Sequence, residues 1–189
     1  MRLGLIFFLS LERKREKTTN NLKSMRKLFT ILALFVVAAF TMAVTAEERA
    51  NESVLTGDKV VECAKKYLGT RYRSGGMSPK RGFDCSGFTS FIYSNHDIVL
   101  PHSSRSQFAT LKGDNLVEKT SDLRVGDLVF FSGSRKSKTV GHVGIVTSVD
   151  DLGGFEFIHS SCSSGVIVSK STEAYYANRY IGACRVIED

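Results

Sequence analysis

The sequence has few of the features that mark fibrous, repetitive or low-complexity proteins. It holds only 2 Pro among 189 residues and 16 Gly, so neither a collagen-like nor a proline-rich architecture is indicated. No internal repeat and no biased segment is visible. The four cysteines include no C-x-x-C pair, the close spacing that is usual in structural zinc sites. With a hydrophobic share of 42%, the chain has the composition of an ordinary globular protein.

Outside the first 46 residues the chain also lacks the excess of basic over acidic residues that a nucleic-acid partner would need. The formal net charge is +7, but eight of the 26 Lys and Arg and only two of the 19 Asp and Glu fall within residues 1–46. That segment therefore carries +6 of the charge, and the remaining residues carry +1. A nearly neutral domain has no phosphate-binding footprint, so no nucleic-acid partner is expected.

The basic N-terminal segment has the three-part layout of a secretory signal peptide. Met25-Arg26-Lys27 is a cationic start, residues 28–44 are apolar apart from two threonines, and a polar stretch begins at Glu47. We expect a leader over 1–46, with a signal peptide over about 25–46 and translation starting at Met25. Residues 47–54 are expected to be a flexible lead-in.

The same segment determines the expected location of the protein. The mature part should be exported to the periplasm, the cell envelope or the outside of the cell. It is expected to be a monomer. The apolar run is near the lower limit for a membrane span. An uncleaved anchor is therefore the alternative, and it is the only membrane contact expected.

Residues 55–189 are expected to form one domain that begins with helices. Thr56 is a candidate N-cap for a helix that ends at Gly69. A second helix should begin after Asp84, and a short third helix after Ser103 or Ser104. The apolar face of the first helix comprises Val60, Val61, Ala64, Tyr67 and Leu68, at helical spacing.

The second half of the domain changes to strand periodicity. Runs rich in β-branched and aromatic residues lie at 128–131, 143–149, 155–159, 166–169 and 180–187, and they are bounded by turn residues. Residues 150–154 have the composition of a hairpin turn. The order predicts an α+β fold in which the N-terminal helices pack on one face of an antiparallel sheet.

Cys85 is the candidate nucleophile. If Asp84 caps the second helix, Cys85 is its first residue, where unpaired N–H groups and the helix dipole stabilise an anion. We therefore expect a lowered thiol pKa and a nucleophilic sulfur. The other cysteines are expected to be structural and mostly free, with Cys63–Cys184 as the one pairing considered.

Two histidines are candidates for the base that a thiol nucleophile needs. His142 begins one predicted strand and His159 ends the next, so the hairpin between them would place the two rings side by side. His159 could then orient His142, the role that a carboxylate has in other triads. A zinc ion on Cys85, His142 and His159 is the competing use, but these ligands lack the short spacing of structural sites. No metal and no cofactor is expected.

These residues lie in six segments that resemble the NlpC/P60 family of cell-wall cysteine peptidases. In the family's order, the segments are 72–76, 82–88, 100–107, 123–131, 141–146 and 157–161. The resemblance implies a papain-like core in which Cys85 is the nucleophile, His142 the base and His159 the third polar residue. It also implies that the Tyr72 hydroxyl assists an oxyanion site with the Cys85 N–H.

Further residues match the family's pocket for a substrate amine: Asp84, Ser86 and Ser104. The chain departs from the family at position 102, where an Arg is common and this sequence has His102. No recognisable wall-binding repeat or SH3-like module precedes the domain.

The function that the resemblance implies is hydrolysis of peptidoglycan stem peptides or cross-links by a cysteine peptidase. The expected bonds are γ-D-glutamyl–diamino acid or D-alanyl amides, cleaved through a thioester, so peptidoglycan peptides are the expected partner. An acyl- or amide-transferase on the same Cys–His site is one alternative. A non-catalytic wall-binding protein is the other.

Overall fold

The computed structural model describes residues 25, 30, 32–42, 55–133 and 137–187. The chain divides into two compact units, Met1–Val54 and Leu55–Asp189. In the first unit, residues 32–42 are helical. Within the described ranges, no helix is both long and apolar enough to cross a membrane. The expected cleavage region at 43–46 and the lead-in at 47–54 lie outside the described residues.

The second unit begins with helix α1, Gly57–Lys65, which Thr56 caps as predicted. The predicted end at Gly69 is wrong, because the helix stops at Lys65. The N–H of Gly69 donates instead to the carbonyl oxygen of Val166, at 2.9 Å. Between these points the N–H groups donate to carbonyl oxygens three residues earlier, as in a 3-10 turn. The chain therefore leaves the α-helical path, and Leu68 leaves the predicted apolar face and is exposed.

Two further helices agree with the predicted positions. Helix α2 spans Cys85–Ser94 with Asp84 as its N-cap, and helix α3 spans Ser104–Leu111 with Ser103 as its N-cap. A two-stranded antiparallel ribbon that was not predicted precedes α2, formed by β1 (Met77–Ser78) and β2 (Gly82–Phe83). This ribbon leads the chain directly into Asp84.

The main sheet has six antiparallel strands in the order β3-β8-β4-β5-β6-β7. They are β3 (Leu116–Val117), β4 (Leu128–Ser132), β5 (Val140–Val149), β6 (Phe155–Ser161), β7 (Gly165–Lys170) and β8 (Tyr180–Cys184). All five predicted strand runs lie in β4 to β8, although the last strand ends at Cys184. A 3-10 turn (Thr120–Asp122), strand β3 and a short helix α4 (Ala174–Ala177) were not predicted.

The central strands are buried on both faces of the sheet. Leu128 and Phe130 of β4 join a cluster with the helices α1 and α2, whereas the alternating residues Val129 and Phe131 join a second cluster with Tyr176 of α4. Alternation along a strand sends successive side chains to opposite faces, so both clusters need apolar residues from β4. The α+β prediction is confirmed, and α4 together with the aromatic residues covers the face that the first three helices leave free.

Candidate active site

Cys85 is the first residue of α2, and the local sequence holds it there. The Asp84 carboxylate accepts the N–H of Gly87 at 2.7 Å and the N–H of Gly75 at 2.8 Å. The carboxylate therefore closes the helix start and fixes the incoming loop. A Cβ at position 87 would lie 2.0 Å from the carbonyl oxygen of Gly76, so only glycine permits this close approach.

The Cys85 thiol does not have the lowered pKa that its helix position predicts. Burial raises its pKa, and the adjacent Asp84 carboxylate raises it further. The N–H groups of Ser86, Val143 and Cys85 act in the opposite direction with smaller effects. The prediction is wrong because the capping group is itself an anion and the sulfur is desolvated. At neutral pH this thiol keeps its proton until a base removes it.

His142 and His159 are adjacent on strands β5 and β6, as the hairpin predicts. Nε2 of His142 lies 2.8 Å from Nδ1 of His159, and the ring planes are nearly perpendicular. Ile145 pairs with Ile158, which puts Gly144 opposite His159 and His142 two residues earlier on the same face. The two rings therefore meet diagonally across Gly144.

Gly144 provides the space for this meeting. A Cβ at this position would lie 2.5 Å from Cδ2 of Phe157 and 3.1 Å from Cβ of His159. Contacts that close force a neighbour to move. The glycine at position 144 is therefore part of the geometry that holds the two imidazoles together.

Two hydroxyl groups contact the far side of His159. Its Nε2 lies 3.1 Å from Oγ of Ser169 and 3.2 Å from Oη of Tyr176. All three side chains are buried. Neither hydroxyl was predicted, although β7 pairs Ile167 with His159 and so places Ser169 diagonally on the same face. Tyr176 lies on α4, a helix too short to be recognised from periodicity.

Both imidazoles are neutral at pH 7. Burial lowers the pKa of His142 to about 4. Burial lowers the pKa of His159 to about 3, and the nearby His142 contributes to the decrease. A neutral imidazole can accept a proton, so the site combines a protonated thiol with an unprotonated base.

One cavity of about 530 Å³ brings Cys85, His142, His159 and Tyr72 together. The N–H of Val143 interacts with the Cys85 sulfur, which places that sulfur beside the residue that follows His142. Burial raises the pKa of Tyr72, and the charges of Cys85 and Asp84 act in the same direction. The Tyr72 hydroxyl therefore stays protonated at neutral pH and can donate a hydrogen bond within the cavity.

The three residues that match the amine pocket do not line this cavity. Ser86 and Ser104 are buried, and the Ser86 hydroxyl donates to Asp84 at 3.2 Å. Nε2 of His102 lies 3.1 Å from both Asp84 carboxylate oxygens, so His102 contacts the carboxylate from the position where an Arg is common. A role of Asp84, Ser86 and Ser104 in amine binding stays a prediction.

The other cysteines form no bond with one another. Cys63, Cys85, Cys162 and Cys184 are free, so the pairing considered for Cys63 and Cys184 is not formed. In the part of the chain that the structure describes, no group of three or more His, Cys, Asp or Glu side chains is arranged to hold a metal ion.

Known proteins resemble this chain over most of its length. Residues 69–185 match the NlpC/P60 family. The chain is 32% identical to gamma-DL-glutamyl hydrolase of Bacillus subtilis, a match that covers 84% of this chain and 37% of that protein. It is 38% identical to murein DD-endopeptidase MepS/murein LD-carboxypeptidase of Escherichia coli, covering 68% of this chain and 62% of that protein.

Solved structures share the fold. An NlpC/P60 family protein from Bacillus cereus matches with a TM-score of 0.62 and 31% identity, covering 71% of this chain and 41% of that chain. An NLP/P60 family protein similar to a lipoprotein, from Staphylococcus aureus, matches with a TM-score of 0.58 and 29% identity, covering 70% and 42% of the two chains. The expected papain-like α+β core is therefore confirmed, and the chain belongs to the NlpC/P60 family.

Proposed function

We propose that this protein is a cysteine peptidase that hydrolyses amide bonds in peptidoglycan stem peptides or cross-links. The observation that carries the proposal is the cavity in which the Cys85 thiol lies with the neutral His142 imidazole, itself 2.8 Å from His159. The names of the two curated relatives support the substrate class, because both describe hydrolysis of glutamyl or murein peptide bonds.

The first chemical step is attack of sulfur on the amide carbonyl carbon. His142 removes the proton of Cys85, because its pKa of about 4 leaves it unprotonated at neutral pH. The imidazolium that forms is stabilised by His159, 2.8 Å away. The thiolate is thus generated during the reaction and does not have to persist in the resting protein.

In the second step, the oxyanion of the tetrahedral intermediate is stabilised, and the intermediate then breaks down to a thioester and an amine. Cys85 is the first residue of α2, so its N–H has no partner within the helix and can donate to the oxyanion. The protonated Tyr72 hydroxyl in the same cavity is a second donor. His142 then gives its proton to the leaving amine, and water hydrolyses the thioester with His142 again as base.

The proposal is tested by digesting two defined wall peptides with the purified domain and identifying the products by mass spectrometry. One substrate holds a γ-D-glutamyl–diamino acid bond, and the other is a dimer cross-linked through D-alanine. We expect cleavage of one of these bonds and release of a new amine. A folded protein that cleaves neither substrate would overturn the proposal.

Gly144→Ala is expected to lower kcat/KM by roughly 10²-fold, the typical cost of displacing a group in the active site by about 1 Å. The added Cβ would collide with Phe157 and press on His159, and so disturb the contact between the two imidazoles. The measurement is the rate of peptide release together with thermal unfolding. Gly113→Ala is the matched control, because no atom lies within 4 Å of its added Cβ, and an equal loss there would contradict the explanation.

The midpoint of the acid limb of the pH–rate profile should lie well below the ordinary pKa of histidine, about 6.5. His142 is active as a base only when it is neutral, and its pKa is about 4. We therefore expect kcat/KM to stay level as the pH falls to about 5 and to drop as it passes through about 4. The substrate should have its carboxyl groups amidated, so that only the protein titrates. An acid limb centred near 6.5 would contradict this assignment.

We further propose that residues 25–46 direct export and are removed. The support is the cationic start followed by the apolar segment, of which residues 32–42 are helical. Sequencing the N-terminus of the exported protein should give Glu47 as the first residue. Recovery of a chain that retains residues 25–46 in the membrane fraction would instead support an anchor.

A further inference from the structure

The hydroxyl groups of Ser169 and Tyr176 contact Nε2 of His159. The reaction steps described above give these two hydroxyl groups no role. His159 is fully buried and neutral, so its ring carries a single proton that lies on one of two nitrogens. Nδ1 faces His142 at 2.8 Å, and Nε2 faces Ser169 at 3.1 Å and Tyr176 at 3.2 Å. The position of that one proton decides what His142 can do.

If the proton is on Nε2 of His159, Nδ1 is free to accept the Nε2–H of His142. A neutral His142 then has an unprotonated Nδ1, which is the nitrogen that can take the thiol proton. If the proton is on Nδ1 of His159, it donates to Nε2 of His142, and His142 must carry its own proton on Nδ1. In that second tautomer His142 cannot serve as the base.

We propose that Ser169 and Tyr176 are positioning residues that hold the His159 proton on Nε2 and thereby keep His142 in the tautomer that accepts the Cys85 proton. The inference rests on the function proposed above and adds residues that act through His159. An Nε2–H can be shared between two oxygens, as in a three-centre bond. An unprotonated Nε2 would have to accept hydrogens from both hydroxyls or face the lone pairs of one of them.

The geometry around Nε2 favours the first arrangement. Each hydroxyl has two lone pairs but only one hydrogen, so both oxygens can accept from a single Nε2–H, at 3.1 Å and 3.2 Å, while their own hydrogens are directed elsewhere.

This tautomer also explains how a neutral residue can take the place of the carboxylate of other triads. The His159 ring dipole has its negative end at the unprotonated Nδ1, which faces His142. When His142 accepts the thiol proton, that dipole stabilises the new charge. In the opposite tautomer an N–H would point at the imidazolium and destabilise it.

The test uses ¹⁵N-histidine-labelled protein at pH 7 without substrate, with the His159 signals assigned from their loss in His159→Asn. We expect the chemical shift of a protonated Nε2 and an unprotonated Nδ1 for His159. In the double variant Ser169→Ala, Tyr176→Phe we expect a mixture of tautomers. A protonated Nδ1 in the unsubstituted protein would overturn the proposal, and this readout is independent of whether the protein cleaves peptidoglycan.

Kinetics provide the second measurement. Each single variant keeps one oxygen and should lose about threefold in kcat or less, whereas the double variant should lose about tenfold with KM unchanged, the effect of one net hydrogen bond. Ser169→Thr keeps the hydroxyl and should restore the activity lost in Ser169→Ala. In a protein that already carries His159→Asn, the double substitution should cause no further decrease in kcat. An equal loss in that protein would mean that the two hydroxyls support only packing.

Discussion

Cys85→Ala is expected to reduce peptide release from purified peptidoglycan by 10⁴-fold or more, as an order of magnitude for the loss of a catalytic nucleophile. The substitution removes one sulfur atom at the start of α2 and leaves the helix cap on Asp84 in place. Thermal unfolding should therefore change little, and the loss should appear in kcat. Mass spectrometry of the released peptides over a fixed time course gives the measurement.

Cys63→Ser is the matched control for this experiment. Cys63 lies in α1, where its sulfur accepts a weak hydrogen bond from Asn95 at 3.6 Å. It is not among the residues that line the cavity, so the variant should retain full activity. Full activity in Cys85→Ala would remove Cys85 from the reaction. Loss in both variants would point to a general effect of losing a cysteine.

His142→Ala is expected to lower kcat at neutral pH by about 10²- to 10⁴-fold, the usual contribution of a general base. Without this imidazole the positioned base is lost, and the proton must leave a thiol whose pKa burial and Asp84 hold above its ordinary value. The thiolate then forms only when the pH rises through that raised pKa. The activity of the variant should therefore increase steeply with alkaline pH, whereas the unsubstituted protein should show a level profile from about pH 5 to 8.

The comparison of the two pH profiles separates a base from a residue that only shapes the cavity. His96→Gln is the control, because His96 follows the C-terminal end of α2, about 15 Å along the helix axis from Cys85. It should leave both the rate and the pH profile unchanged. A parallel loss in His142→Ala at every pH, without alkaline recovery, would contradict the role of His142 as the base.

The parts of the site that the sequence predicts are those set by short-range rules. Asp84 caps the helix within three residues, so the position of Cys85 follows from the local sequence. His142 and His159 lie on strands joined by a recognisable turn, and their adjacency follows from antiparallel pairing. These features need no knowledge of how distant segments pack.

The parts that the sequence does not predict depend on long-range packing. Ser169 reaches His159 through the register of β6 and β7, and Tyr176 reaches it from a helix of only four residues. The direction of the Cys85 pKa shift was predicted wrongly for the same kind of reason. The helix start is visible in the sequence, but the burial of the sulfur, which raises its pKa most, arises only when distant segments pack against α2.

The most direct test of the central claim is to mix the protein with a defined stem peptide, quench with acid within the first turnover, and locate any added mass by top-down mass spectrometry. A thioester mechanism predicts a protein that carries the acyl half of the substrate on Cys85, with no added mass on Cys162, the other thiol of the cavity. The adduct should be absent in Cys85→Ala. Steady product formation with no adduct on Cys85 at any quench time, and continued turnover in Cys85→Ala, would contradict it.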